Sequence, residues 1–282
     1  MRSGEIALEL LILVILLGSV LVWSGILDRL KHGVAPVAYV PRLRVPWGLL
    51  DILVLVFAWV YSEAFGLYLA VGHIDPARDA LTIDALFGLR LGHLGWTLLA
   101  IAYLKVRGAD LDDLGIRFNR HTLARDVKLG LGGFLAAVPI VYGLQLLVTS
   151  FWKPEVHPLA KLLLERPNAV TLAGAAFSAI LVAPLSEEML FRVAFQGWLE
   201  KISPALRRRR PLGVRVDRLL PTVLSASIFA AMHHGADRVA LFVLALFLGY
   251  LYRQTHRLAP SLVAHACVNS MAVIGLWLGR AG

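Results

Sequence analysis

The sequence predicts an all-α fold, a polytopic membrane helical bundle of about eight transmembrane helices with an intramembrane polar site. Three observations carry this. Hydrophobic residues make up 58% of the 282-residue chain, against about 45–50% in soluble domains. They gather into runs near 6–26, 49–71, 81–104, 127–151, 169–199, 219–235, 238–256 and 259–279, and most of these reach the roughly 20 residues that a ~30 Å hydrocarbon layer requires. Finally, Lys and Arg crowd into alternate loops, as the positive-inside rule expects of a multi-span protein.

Taken in order, the first run, Ile6 to Ile26, exceeds the ~7–15-residue core of a secretory signal and is expected to be a retained helix. Pro36, Pro41 and Pro46 mark a non-helical loop behind it. The second span carries Glu63 near its middle, where a carboxylate needs a partner. Asp84, Arg90 and His93 fall on the third and are expected to pair locally or to mark an interfacial segment. From Gly108 to Asn119, alternating acids and aliphatics suggest a short surface segment. The span beginning near Ala169 is longer than a bilayer needs, and Pro184 predicts a kink just ahead of an acidic pair. With no linker, low-complexity tract or internal repeat, residues 1–282 are expected to form a single integral-membrane domain.

The net charge of +9 is distributed by membrane face, so nucleic acid is not an expected partner. One face collects Arg29, Lys31, Arg42, Arg44, Lys105, Arg107, Arg117, Arg120, Arg125, Lys128, Lys201, Arg207 to Arg210, Arg215, Arg218, Arg253 and Arg257. This face is expected to be cytoplasmic, which leaves both termini outside a plasma membrane. Arg207 to Arg210 are expected to hold anionic lipid headgroups. The single cysteine, Cys267, excludes an intramolecular disulfide and reads as a small apolar helix residue.

Ionised groups inside such runs cost about 2.5–3.5 kcal/mol each before compensation, so those in the last third require a function. Glu188 and Arg192 are four residues apart and share a helical face, which predicts an ion pair. Glu187 is rotated about 100° away and is left free to face a cavity. Phe229 and His233 share the same spacing, as do His265 and Asn269, with Cys267 between the last two. Counting along helices places Glu187 and His233 about 18–21 Å from the cytoplasmic ends and His265 and Asn269 about 9–15 Å, which suggests a site opening toward the cytoplasm. A carboxylate, two imidazoles and a carboxamide can activate water and stabilise an oxyanion. Glu187, His233 and His265 equally suit a zinc ion with one open position, although no H-E-x-x-H pair is present.

E-E-M-L-F-R at Glu187 to Arg192, F-A-A-M-H at Phe229 to His233 and H-A-C-V-N at His265 to Asn269 resemble, in order, the three motifs of the CAAX-protease and bacteriocin-processing (CPBP, or Abi) intramembrane proteases. The similarity covers roughly Ala169 to Leu278, with a catalytic core at 169–279. It implies an intramembrane endopeptidase, commonly called a metalloprotease, that acts on membrane-associated peptides or proteins. Residues matching Glu187 and His233 would activate water, and those matching His265 and Asn269 would stabilise the oxyanion. Glu188 and Arg192 support them. Two other readings fit the residues: a proton-coupled transporter using the carboxylate and imidazoles as a relay, and a non-catalytic immunity or scaffold protein of the same fold.

Overall fold

A computed structural model describes residues 3–42, 44–72, 82–117, 119–152, 157–209, 214–233, 235 and 237–279. His234 and Arg78 lie outside them. The described residues form helices alone: α1 (Ser3–Lys31), α2 (Leu49–Val71), α3 (Ile83–Val106), α4 (Arg120–Phe151), α5 (Pro158–Glu165), α6 (Ala169–Ala176), α7 (Ala183–Glu188), α8 (Gly197–Arg209), α9 (Val214–Ala231), α10 (Asp237–Thr255) and α11 (Leu258–Gly279). Two π-helical segments, π1 (Phe177–Val182) and π2 (Met189–Gln196), join α6, α7 and α8 into one long rod.

Six of these rods are long and apolar enough to cross a membrane: Gly4–Lys31, Leu49–Ala70, Ile83–Val106, Arg120–Phe151, Ala169–Ser203 and Leu258–Gly279. Six is fewer than the eight runs read from the sequence. Among the described residues the apolar part of α9 runs Leu219–Ala231, and α10 carries Asp237, Arg238 and Arg253. Outward-facing side chains such as Phe57, Leu50, Leu21 and Leu99 are more than 70% exposed, a surface that suits lipid rather than water.

The helix starts follow from their caps. Thr82 accepts from Ala85 N, Asn119 from His121 N and Asn168 from Thr171 N, each relieving an orphan donor of a first turn. Within the bundle α2 and α3 pack tightly because glycines face each other. A Cβ at Gly66 would collide with Gly88 O, and one at Gly92 with Ser62 O. Small residues on facing helices are what let backbones approach in a membrane, where apolar burial no longer separates protein from lipid.

The level of the arginine-rich face is fixed by cross-links between loops. Trp47 Nε1 donates to Ala194 O at 2.9 Å, Arg44 Nε to Asp113 Oδ2 at 2.8 Å and Leu258 N to Gly115 O at 3.1 Å. Gly115 has φ +73, and a Cβ there would press on His256 O and Arg257 Cα, so only glycine suits this junction. Pro158 opens a short amphipathic helix, α5, between the fourth and fifth apolar runs. It buries Leu159, Leu162 and Leu163 against Leu86 and Ala175.

Candidate active site

The site forms where the rod α6–π1–α7–π2–α8 meets α11 and the end of α9. Pro184 stands in the first turn of α7, where its missing N–H leaves no donor unmet in a continuing ladder. The π turns on either side of α7 widen the helix around Glu187 and Glu188, and such insertions recur at functional sites. Where Pro184 predicts a kink, the structure has two π segments flanking the acidic pair.

Glu188 and Arg192 pair as their spacing predicts, with Arg192 Nε 3.3 Å from Glu188 Oε2 and both side chains fully buried. Arg192 Nη1 also donates to Ser225 Oγ at 3.1 Å, and its guanidinium lies over the Phe229 ring at 5.5 Å. The other oxygen of Glu188, Oε1, is 3.1 Å from His265 Nδ1. A carboxylate only accepts, so Nδ1 carries a proton and donates. His265 Nε2 then faces Glu187 Oε2 at 3.7 Å, longer than a direct hydrogen bond. Glu187 keeps 18% of its side chain accessible while Glu188 keeps none, the asymmetry expected from their positions on the helix.

His233 stands just past the last residue of α9. Its Nδ1 donates to Phe229 O at 2.8 Å, which leaves Nε2 as the bare, basic nitrogen. Phe229, itself fully buried, packs against His233 at 4.7 Å and edge-on against His265 at 6.0 Å between ring centroids. One aromatic ring therefore sets the orientation of both imidazoles. Asn269 Nδ2 donates to Ala179 O in π1 at 2.7 Å. One N–H of that amide is engaged in locking α11 to the π turn, and the other remains for a ligand.

Among the described residues, no three His, Cys, Asp or Glu side chains gather as a metal-binding group. Of the expected zinc set, Glu187 Oε2 lies 3.7 Å from His265 Nε2. The Nδ1 atoms of both histidines hold Glu188 and Phe229 O, which leaves each Nε2 as the nitrogen that would meet a metal or a proton.

Sequence reasoning treated the polar residues of α2 and α3 as structural and passed over their proximity to the acidic pair. His93 Nε2 is 2.9 Å from Glu63 Oε1, and His93 Nδ1 is 3.0 Å from Arg90 Nη1. Because arginine only donates, His93 accepts at Nδ1 and donates at Nε2 to Glu63, which fixes a neutral tautomer. Arg90 Nε donates to Ser178 Oγ in π1 at 2.6 Å, and its charge acts on Glu187. The signal available in sequence was an arginine well inside an apolar run. His157 had no such signal. It caps α5 through Leu159 N and lies within electrostatic reach of Glu187, His233, Arg90 and Asp237. Desolvation of its ring holds the imidazole below the usual histidine range, against the opposing pull of Asp237.

Neither a curated protein nor a solved structure matches the chain. Residues 169–271, which hold all seven of the motif side chains named above, match the family model described as Type II CAAX prenyl endopeptidase Rce1-like, in agreement with the resemblance that the three motifs carry.

Proposed function

We propose that this protein is an intramembrane endopeptidase that hydrolyses peptide bonds of membrane-associated proteins or peptides with water activated by Glu187. The observation that carries the reading is His265 held between two carboxylates, Nδ1 on buried Glu188 and Nε2 toward accessible Glu187. That arrangement separates an orienting carboxylate from a reacting one.

In this mechanism Glu187 takes a proton from water as it attacks the scissile carbonyl. The bare Nε2 of His233 relays that proton to the leaving amine nitrogen as the C–N bond of the tetrahedral intermediate breaks. The developing oxyanion is stabilised by the free N–H of Asn269 and by His265, which donates from Nε2 when its ring carries a second proton. Glu188 and Arg192 fix the His265 ring and neutralise each other in the bundle. Both histidine Nδ1 atoms are engaged and both Nε2 atoms are left open, an arrangement that serves glutamate-dependent chemistry and equally a zinc ion held through Nε2; the lack of an H-E-x-x-H pair favours the first. The Rce1-like match supports a protease, and a prenylated protein is one substrate such a family name suggests.

We further propose that α9 and α10 are embedded beside the six longer rods, which makes eight helical passes in one domain with its catalytic core at 169–279. The chain is placed in the plasma membrane with both termini outside, since Lys and Arg concentrate at the opposite face. Anionic lipid headgroups are the expected partners of the arginine-rich loops.

The test is a quenched-peptide library presented to purified protein in detergent, wild type against Glu187→Ala. Cleavage by the wild type and none by the variant is expected. Wild-type protein that cleaves nothing but moves protons across a proteoliposome membrane would replace this reading with the transporter.

A further inference from the structure

A polar cavity of about 130 Å³ lies at the arginine-rich face, and none of the motif side chains lines it. Its walls come from four stretches far apart in sequence: residues 40–42 ahead of α2, the segment between α3 and α4, the first turns of α4, and the α10–α11 junction at Thr255 to Arg257. One water needs only about 10–15 Å³ of such space, so the cavity has room for a small polyatomic group. The N-terminal ends of α4 and α11 both border it, and neither helix carries an acid in its first turn. Helix dipoles therefore add partial positive charge from two directions.

Side-chain charge and hydrogen bonding agree with this sign. Four arginines, Arg42, Arg117, Arg125 and Arg257, line the cavity beside three carboxylates, Asp112, Asp113 and Asp126. Each carboxylate is already matched: Asp112 by Arg117, Asp126 by Arg257, and Asp113 by Arg44. Arg42 is taken by Glu200, which leaves Arg125 as the lining arginine outside these pairs. Two donors in the walls are also unmet. Arg257 gives Nε to Asp126 and Nη2 to Arg117 O, while Nη1 has no hydrogen-bond partner. Arg42 gives Nη1 to Glu200 and Nη2 to Tyr252 OH, while Nε has none. The Arg257 and Arg42 side chains keep only 11% and 12% of their surface accessible, and a guanidinium N–H so placed calls for an acceptor. Asp113 Oδ1, on a buried side chain, is an unmet acceptor in the same walls.

We propose that this cavity binds a phosphate monoester group or inorganic phosphate, supplied by a lipid headgroup or from solution. Donors arriving from separate elements suit a tetrahedral anion, which accepts in several directions where a carboxylate accepts in one plane. A singly protonated phosphate oxygen also donates, and so answers Asp113 Oδ1; chloride and sulfate do not. The pocket is distinct from the open headgroup contacts expected of Arg207 to Arg210, and it does not rest on the peptidase reading.

The test uses full-length protein in an uncharged detergent and follows its melting temperature against inorganic phosphate at constant ionic strength. A saturable rise is expected, with sulfate giving little of it. Arg125→Gln should weaken the apparent affinity about tenfold, roughly the loss of one charge-assisted hydrogen bond, while Arg120→Gln should leave it unchanged. That control removes the same charge from the first turn of α4, at an exposed residue outside the cavity. The source of the phosphate is read in phosphatidylcholine nanodiscs containing either phosphatidic acid, a monoester, or phosphatidylglycerol, a diester of equal sign. Stabilisation by phosphatidic acid but not phosphatidylglycerol, lost in Arg125→Gln, assigns the site to a lipid headgroup. A response to free phosphate in detergent with no preference between the two lipids assigns it to soluble phosphate, and either result supports the site. No saturable response to phosphate or phosphatidic acid, responses that Arg125→Gln and Arg120→Gln reduce alike, or sulfate acting as well as phosphate would overturn the proposal.

Discussion

His265 Nδ1 lies 3.1 Å from Glu188 Oε1, a contact between residues 77 positions apart that ties α11 to α7 in the centre of the bundle. It gives the two adjacent glutamates different work, because the one that holds the imidazole is withdrawn from water and the other is not.

Glu187→Gln should abolish hydrolysis and leave thermal stability close to wild type. The carboxamide keeps the shape of a partly accessible side chain but cannot take a proton from water. Turnover near the wild-type rate in a peptide assay would remove Glu187 from the role of base.

Glu188→Gln should behave oppositely, with a loss of about 3–5 kcal/mol in stability, because Arg192 is left charged, buried and without its carboxylate. Replacing both partners, Glu188→Leu with Arg192→Met, should recover a large part of that loss without recovering activity. Denaturation in detergent of the two single variants and the double variant measures the coupling directly.

Asn269→Ala and His265→Ala should each lower kcat by about 10²–10³, as loss of an oxyanion donor does, with KM changed far less. A loss confined to KM would place these residues in substrate binding instead.

Chelator treatment should leave peptide cleavage intact. Stoichiometric zinc in active protein, lost together with activity in His233→Ala, would reverse this expectation and call for ligand geometry that forms only with metal bound.

Glycines in α3 provide a paired test of the packing. Gly92→Ala places a Cβ against Ser62 O, and since backbone cannot yield as a side chain does, a cost of about 1–3 kcal/mol is expected. Gly95→Ala, three residues on, meets nothing within 4 Å and should be neutral or stabilising by up to about 1 kcal/mol. Equal melting temperatures for the two variants would disprove the close approach of α2 and α3.

What could be read from sequence was whatever repeats with the helix. The Glu188–Arg192 pair and the Phe229–His233 contact follow from four-residue spacing, and both are present. Glu63 was correctly seen to need a partner, but nothing local could name His93, 30 positions away on another helix. Tertiary packing also decided what spacing could not: Arg90 is tied to π1 through Ser178, and both it and His157, which caps α5 from a loop, lie within electrostatic reach of Glu187. The six long rods were legible as apolar runs. The shorter reach of α9 was not, because its charged first turns and its apolar remainder form one continuous helix whose depth depends on the neighbours it meets.

A π turn is an α-helix with one residue too many, and the rod from Ala169 to Ser203 contains two of them. The phase between its two ends is therefore written in the length of the chain as well as in its letters. Were Met189–Gln196 to close into an ordinary α-helix at its present length, everything beyond it would turn by roughly the 100° that one residue subtends, and the contacts of Gln196 with Gly249 and of Ala194 with Trp47 would be lost while every motif letter stayed in place. A chain one residue shorter in that interval would keep the same faces only as a plain α-helix, so the length between Arg192 and Gly197 and the π turn belong together.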